Sequence, residues 1–419
     1  MIRFQGLLGI VVILLIAFGL SNNRKKIPWR IIAWGLGLQV AFAFLILDTT
    51  GGQLVFDAIR AAAQKLLSFS DAGAGFLFGN LYRGVDSTPP GDDSWALQLL
   101  DRHQHPVSLG VVVAFHVLPV IIFFSALIAI LYHLKIMQKI VAGFAFVMQR
   151  TMKISGPESV AVAANVFVGM VEAPLSIKPY LKKMTESELA CIMTAGFATV
   201  AGSVMASYMR FGIDAGHLLA ASVMSAPAAI VISKIMVPET VIHSTKSVKA
   251  DLEDKAVNVL DATANGAIQG VRVAAIVAAM LIAFLSLVAM INYLLSFAHT
   301  SLEQILGWIF SPLAFCMGIE TSDVMQVGAL IGTKLSVNEF VAYLHLLGLR
   351  ETLSPRSFTI ATYALCGFAN LGSIGILIGG IGALAPERKS DLARMGLKTM
   401  LAGALSSFLT ATIAGIIIG

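Results

Sequence analysis

Charge is scarce in this chain. Only 13% of its 419 residues are Asp, Glu, Lys or Arg, against roughly a quarter in a soluble domain. That shortage excludes an ordinary water-facing surface. Cysteine is scarcer still. Cys191, Cys316 and Cys366 lie in or beside apolar segments without ligand-like spacing, so they read as packing thiols and exclude both a disulfide framework and a zinc site. The chain also lacks His-Glu-x-x-His, a P-loop and Gly-x-Ser-x-Gly, the signatures of common metal-dependent, nucleotide-dependent and serine hydrolases. A net charge of +5 is modest and calls for no nucleic-acid partner.

What the chain has instead is apolar length. It is 57% hydrophobic, with a mean hydropathy of +0.84. A bilayer crossing needs about 20 apolar residues. Segments 4–23, 103–134, 189–209, 273–302, 357–386 and 399–419 carry no Asp, Glu, Lys or Arg and meet that length; 31–47 and 215–233 are two further candidates. The run 4–23 leads into Asn22-Asn-Arg-Lys-Lys26 rather than a small-residue cleavage site, so it reads as a retained helix.

Loop charge orients these spans, because Lys and Arg concentrate in cytoplasmic loops. Arg24, Lys25, Lys26 and Arg30 place the first loop inside and the N-terminus outside. Residues 48–102, with Asp48, Asp57, Asp71, Asp86, Asp92, Asp93 and Asp101, then form an outer segment. Lys135, Lys139, Arg150 and Lys153 bring the chain back inside, and 135–150 reads as an amphipathic helix on the inner surface. Lysines on both sides of 154–177 make that segment a re-entrant hairpin with its tip near Glu172 and Pro174. The polar stretch 238–265, with Lys246, Lys249 and Lys255, is cytoplasmic. Region 304–349 has expected breaks at Pro312 and Thr333–Ser336, and its central part, 322–349, is a second hairpin entered from the outside.

Two stretches resemble each other: Gly196-Phe-Ala-Thr-Val-Ala-Gly-Ser-Val204 and Gly367-Phe-Ala-Asn-Leu-Gly-Ser-Ile374. Each follows a lone glutamate in an apolar segment, Glu172 or Glu339. Repeats interrupted at corresponding places point to a secondary transporter with its site between them. The expected fold is an all-α integral membrane protein with eight transmembrane helices and two re-entrant helical hairpins in an inverted repeat. Its expected divisions are scaffold helices in 1–153, a first transport unit in 154–237, a cytoplasmic loop and scaffold helix in 238–303, and a second transport unit in 304–419.

A carboxylate at membrane depth is costly unless it faces a cavity or a partner. Glu172 and Glu339 therefore read either as acceptors for a neutral, hydroxyl- or N–H-bearing substrate, or as caps for the exposed amides of half-helices. Asn165, Thr199 and the carbonyls near Val168 and Val200 offer neutral oxygens for a monovalent cation, or helix–helix hydrogen bonds. Asn370 and Ser373 occupy the matching break, and Phe197 and Phe368 are large enough to stack on a ring. His116 reads as a proton relay or a packing hydrogen bond, and Lys334 as a partner of Glu339 or a side chain reaching the outer interface. A membrane-embedded hydrolase using two carboxylates is the competing class.

Asn165-Val-Phe-Val-Gly-Met-Val-Glu-Ala-Pro-Leu175, Thr199–Val204, Asn338-Glu-Phe-Val-Ala-Tyr343 and Cys366–Ile376 resemble the concentrative nucleoside transporter family in its eight-span bacterial form. The resemblance covers essentially the whole chain. It implies no enzyme activity but sodium- or proton-coupled nucleoside uptake across a bacterial inner membrane; the loop charge puts both termini outside. The resemblance also implies a homotrimer and an elevator-like movement of the hairpin domains. By the same resemblance Glu172 contacts the nucleobase, Glu339, Asn370 and Ser373 hold the ribose, and Val204, Phe368 and Val271 pack on the base. Asn165, Val168, Thr199 and Val200 match its sodium site. Before the first glutamate the family pattern is often Gly-Gln-Thr-Glu, whereas this chain has Gly169-Met170-Val171-Glu172. Two polar base-reading side chains are thus apolar here, which favours a purine nucleoside or a broad range. A free nucleobase as substrate is the alternative within the transporter class.

Overall fold

The computed structural model describes residues 2–83, 112–240 and 256–418, and all regular structure among them is helical. Helices satisfy their own backbone polar groups, as a bilayer interior requires. Six of them are long and apolar enough to cross a membrane, and three shorter apolar helices accompany them.

The chain opens with α1 (Ile2–Gly19) and α2 (Trp29–Leu47). The outer segment expected at 48–102 is not a loop at its start: α3 (Thr50–Phe78) runs for 29 residues, followed by the short α4 (Asn80–Arg83). Thr49 starts α3 by accepting a hydrogen bond from the Gly52 amide at 2.8 Å. Charged residues interrupt its apolar pattern, but Arg60 and Asp71 are paired with distant residues. Arg60 meets Asp214 at 2.7 Å and Asp71 meets Arg210 at 3.1 Å. Both pairs tie α3 to residues 210–214, distant in sequence. Asp86, Asp92, Asp93 and Asp101 lie outside the described residues.

From Val113 the chain resumes with α5 (Val113–His116) and α6 (Leu118–His133), then α7 (Ile136–Met152). The last is amphipathic as expected. Met137, Val141, Ala145, Met148 and Met152 are its buried stripe, spaced for one helical face.

The segment 154–177 is a hairpin. Its first limb is α8 (Gly156–Asn165), and the turn 166–172 leads into a 3₁₀ stretch, Ala173–Ile177, and α9 (Lys178–Leu181). Pro174 and Pro179 remove donors, which keeps the return limb short and irregular. Next come α10 (Glu186–Ala198), α11 (Gly202–Phe211) and α12 (Ala215–Met236). The span at 189–209 is therefore two half-helices joined by an extended link at Thr199–Ala201.

Most of the polar stretch 238–265, including Lys246, Lys249 and Lys255, lies outside the described residues. Its last residues belong to α13 (Val259–Ser296), which starts well before the expected 273 because Asn258 caps it, accepting from the Asp261 amide at 2.9 Å. At 38 residues, α13 is about 57 Å long at 1.5 Å per residue.

Pro312 is not a break. It sits inside α14 (Leu302–Cys316). The hairpin that follows, α15 (Val324–Ser336) and α16 (Glu339–Gly348), breaks at Val337-Asn338, just after the expected Thr333–Ser336. Thr333 and Ser336 are still helical, their hydroxyls donating to the Ala329 and Gly332 carbonyls one turn back. Then α17 (Pro355–Leu365) and α18 (Leu371–Leu384) form a second broken helix, and α19 (Lys389–Ile418) closes the fold. The order hairpin, broken helix, long helix thus occurs twice. The two long helices, α12 and α19, pack on each other, and α10 and α17 both pack on α19.

The breaks meet at Gly367. Its φ of +130° is open to glycine alone, and a Cβ there would come within 2.7 Å of the Phe197 carbonyl oxygen. Phe197 itself is fully buried, packed against Gly403. It is core, not a ring-stacking residue.

Candidate functional site

One cavity of about 1540 Å³ lies where the interrupted elements converge. Hairpin 1 (154–181) contributes its turn, Val168 to Glu172, and hairpin 2 (324–348) contributes Asn338, Glu339 and Phe340. The two broken helices bring Val204 on one side and Phe368, Asn370 and Ser373 on the other. A face of α13 closes the cavity opposite hairpin 1.

Glu339 is the best-held group in it. Asn338 caps α16 by accepting from the Val341 amide at 2.9 Å, and the next residue, Glu339, lines the cavity. The Tyr208 hydroxyl donates to Oε1 at 3.0 Å and Asn370 Nδ2 donates to Oε2 at 2.9 Å. Asn370 is held in turn, because its Oδ1 accepts from the Ser373 amide at 2.8 Å as the cap of α18. An ionised carboxylate has about four acceptor positions. Two are filled, and the rest are available to hydroxyls arriving in the cavity. Tyr208 is a site residue absent from the sequence reading. It is fully buried and packs on Tyr343 with ring centroids 4.5 Å apart.

Glu172 is more open. Its Oε1 accepts from Gln269 Nε2 of α13 at 2.8 Å. A Cβ at Gly169 would overlap a Glu172 carboxylate oxygen, so a larger residue there would push that side chain aside. Met170 and Val171 line the cavity beside it, wedged against Gly196 and Gly380. Val204 and Phe368 also line it. Val271 does not: it is 52% exposed and absent from the lining. The inward positions of α13 are Gly266, Gln269, Val273 and Ile276, spaced by three and four residues, and Val271 falls on the other side.

Asn165, Thr199 and Val200 are buried behind Val168 at the two breaks. Asn165 Nδ2 donates to the Ala161 carbonyl at 3.1 Å, but its buried Oδ1 has no hydrogen-bond partner. Thr199 Oγ1 donates to the Ala195 carbonyl at 2.8 Å, which leaves its lone pairs free. The Gly202 amide donates to the Phe167 carbonyl at 3.1 Å and stitches the breaks together. A buried acceptor without a donor is costly, and neutral oxygens of this kind suit a monovalent cation.

Lys334 does not reach the outer interface: it is fully buried. It interacts with the charge of Glu339 but makes no direct ion pair with it within 4 Å. Its ammonium donates to the Ala364 carbonyl at 2.8 Å and the Cys366 carbonyl at 3.4 Å, at the C-terminal end of α17 where carbonyls lack helical donors. His116 bonds the backbone of Val112 and stacks on Tyr82 at 5.1 Å, away from the cavity.

A buried charge pair also escaped the sequence reading. Lys234 of α12 meets Glu158 of hairpin 1 at 2.6 Å and donates to Ser187 Oγ at 3.0 Å. It fastens hairpin 1 to α10 and α12. Removing one partner of a buried pair costs about 3–5 kcal/mol, whereas replacing both with apolar groups is often neutral. Lys234→Met should therefore cut the yield of monodisperse protein sharply, and Lys234→Met with Glu158→Leu should restore much of it.

Paired hairpins, helices broken at mid-length and a polar site between them define a membrane transporter of the secondary type. Family profiles make this specific. Residues 8–81 match "Na+ dependent nucleoside transporter N-terminus", 114–215 match "Nucleoside recognition" and 217–415 match "Na+ dependent nucleoside transporter C-terminus". The chain is 43% identical over 99% of its length to the uncharacterized transporter YutK of Bacillus subtilis, covering 99% of that protein. It is 39% identical over 98% of its length to the rat sodium/nucleoside cotransporter 1, covering 63% of it. The solved structure of CNTnw in an inward-facing substrate-bound state superposes with a TM-score of 0.91 at 39% identity, covering both chains completely. The chain belongs to the Na+-dependent, concentrative nucleoside transporter family; it is a transporter, not an enzyme.

Proposed function

We propose that this protein is a sodium-coupled symporter importing nucleosides across a bacterial cytoplasmic membrane. The observation that carries the reading is Glu339, held between Tyr208 and Asn370 with acceptor capacity turned into the cavity. A vicinal diol donates two hydrogen bonds and suits that carboxylate. Asn370 and Ser373 complete the ribose end, Glu172 meets the base, and Val204 and Phe368 pack on its faces. Sodium is held by Asn165 and Thr199 with carbonyls near Val168 and Val200, supported by the unpartnered Asn165 Oδ1.

The chain crosses the membrane eight times, as α1, α2, α6, α10–α11, α12, α13, α17–α18 and α19. Both hairpins are re-entrant, in opposite senses, and both termini lie outside. The transport units are 154–237 and 304–419; 1–153 and 238–303 form the scaffold of a homotrimer. The packing of α13 along α6 supports a scaffold distinct from the hairpin bodies, which move elevator-like against it. Met170 and Val171 make the base end apolar and favour purine nucleosides, or a broad range.

Proteoliposomes loaded with either a sodium or a proton gradient test this. Nucleoside accumulation should follow the sodium gradient and be blocked by nucleosides but not by free bases. Accumulation driven by protons alone transfers the coupling role to a carboxylate. Turnover of the substrate in detergent makes the site a hydrolase.

A further inference from the structure

Besides Asn265, whose Nδ2 donates to Asp261 at 3.0 Å, the α13 wall carries Gln269 and Arg272, one turn apart and both lining the cavity. An ionised carboxylate only accepts hydrogen bonds, so the 2.8 Å contact to Glu172 turns the Gln269 amide nitrogen toward the base end of the site. Arg272 offers donors alone, and it makes no ion pair with any described residue. On hairpin 1 the two residues before Glu172 are the apolar Met170 and Val171, and its polar lining residues, Ser176, Lys178 and Tyr180, lie on the return limb. The base end is therefore divided by sign. One wall holds an acceptor, Glu172, and the other holds donors, Gln269 and Arg272.

We propose that Gln269 and Arg272 are specificity-determining residues that, with Glu172, read a lactam edge of the base: a ring N–H beside a carbonyl. This rests on the nucleoside reading of the cavity. A lactam N–H donates to Glu172 while the adjacent carbonyl accepts from Gln269 or Arg272. Uracil and 6-oxopurines present that edge. Cytosine and adenine present the reverse, a ring nitrogen acceptor beside an amino donor. The acceptor would then face the carboxylate and the amino group would face the arginine, leaving polar groups unpaired in both places. Purine and pyrimidine are thus separated by the apolar walls, and lactam and amine by the pair on α13. Because α13 packs chiefly along α6 rather than on the hairpins, the edge is read across the boundary between two bodies.

Two matched pairs isolate this edge: inosine against adenosine, and uridine against cytidine. Each competes with a labelled ribonucleoside for sodium-driven uptake into proteoliposomes. The lactam member should inhibit about tenfold or more strongly in each pair. Gln269→Leu with Arg272→Met should bring both ratios near unity, while uracil and hypoxanthine remain poor inhibitors because the ribose end is untouched. Equal inhibition within the pairs by wild type overturns the proposal with no variant needed, and so do ratios unchanged in the double variant. Wild-type uptake that no nucleoside inhibits overturns the nucleoside reading itself.

Discussion

Glu339→Gln should weaken nucleoside uptake by about ten- to a hundredfold while the protein inserts and purifies normally. The wild-type carboxylate accepts from Tyr208 at 3.0 Å and from Asn370 at 2.9 Å. An amide cannot do both equally, since one of its ends is itself a donor. It also loses the charge that strengthens bonds to the ribose hydroxyls, worth about 1.5–3 kcal/mol, and each 1.4 kcal/mol is a factor of about ten. Tyr208→Phe separates positioning from direct contact. It removes one brace and no substrate contact, so its loss should be smaller and should fall mainly on the ratio of ribonucleosides to their deoxy analogues. Half-saturation for a ribonucleoside, measured in proteoliposomes for both variants, checks the order. Wild-type affinity in Glu339→Gln removes Glu339 from the substrate site.

The parts of this site that were legible in the sequence are those where polarity interrupts an apolar run. Glu172, Glu339, Asn370 and the hairpin turns stand out because a bilayer tolerates such residues only at a cavity or a partner. The similarity of Gly196–Val204 to Gly367–Ile374 pointed to the two broken helices before their geometry was known. Tyr208 was not legible. It lies 131 positions from the carboxylate it braces, and a tyrosine at the end of an apolar segment is unremarked by periodicity. Val271 failed on helical phase: two positions along, Val273 faces the cavity, and a resemblance that slips by a residue or two turns a side chain to the opposite wall. Lys334 was hidden in part for another reason. Its partners are carbonyls released by the end of α17, and backbone groups carry no letter in a sequence. The helix α3 was hidden because its charges imitate a loop, although Arg60 and Asp71 are each paired to distant elements.

The base end of the site yields the second large effect. Met170 and Val171 are packed against Gly196 and Gly380 and also reach the cavity, so they present methyl and thioether surface beside Glu172. A pyrimidine offers little ring area and depends on hydrogen bonds at its polar edge. A purine brings more surface to lay against Phe368 and Val204. Wild type should therefore take inosine at least as well as uridine. Met170→Gln with Val171→Thr puts an amide and a hydroxyl back on the wall, at little change in volume for either residue. One added hydrogen bond of about 1.4 kcal/mol is a factor of about ten, so the double variant should shift the uridine-to-inosine ratio about tenfold or more toward uridine. Gln269 and Arg272 are unchanged in that variant, so the preference for the lactam member of each matched pair should survive the shift. Competition by adenosine, inosine and uridine against one labelled substrate measures both quantities together. A wild type that strongly prefers uridine, with a ratio unmoved by the two substitutions, would assign the choice of ring size to residues other than Met170 and Val171.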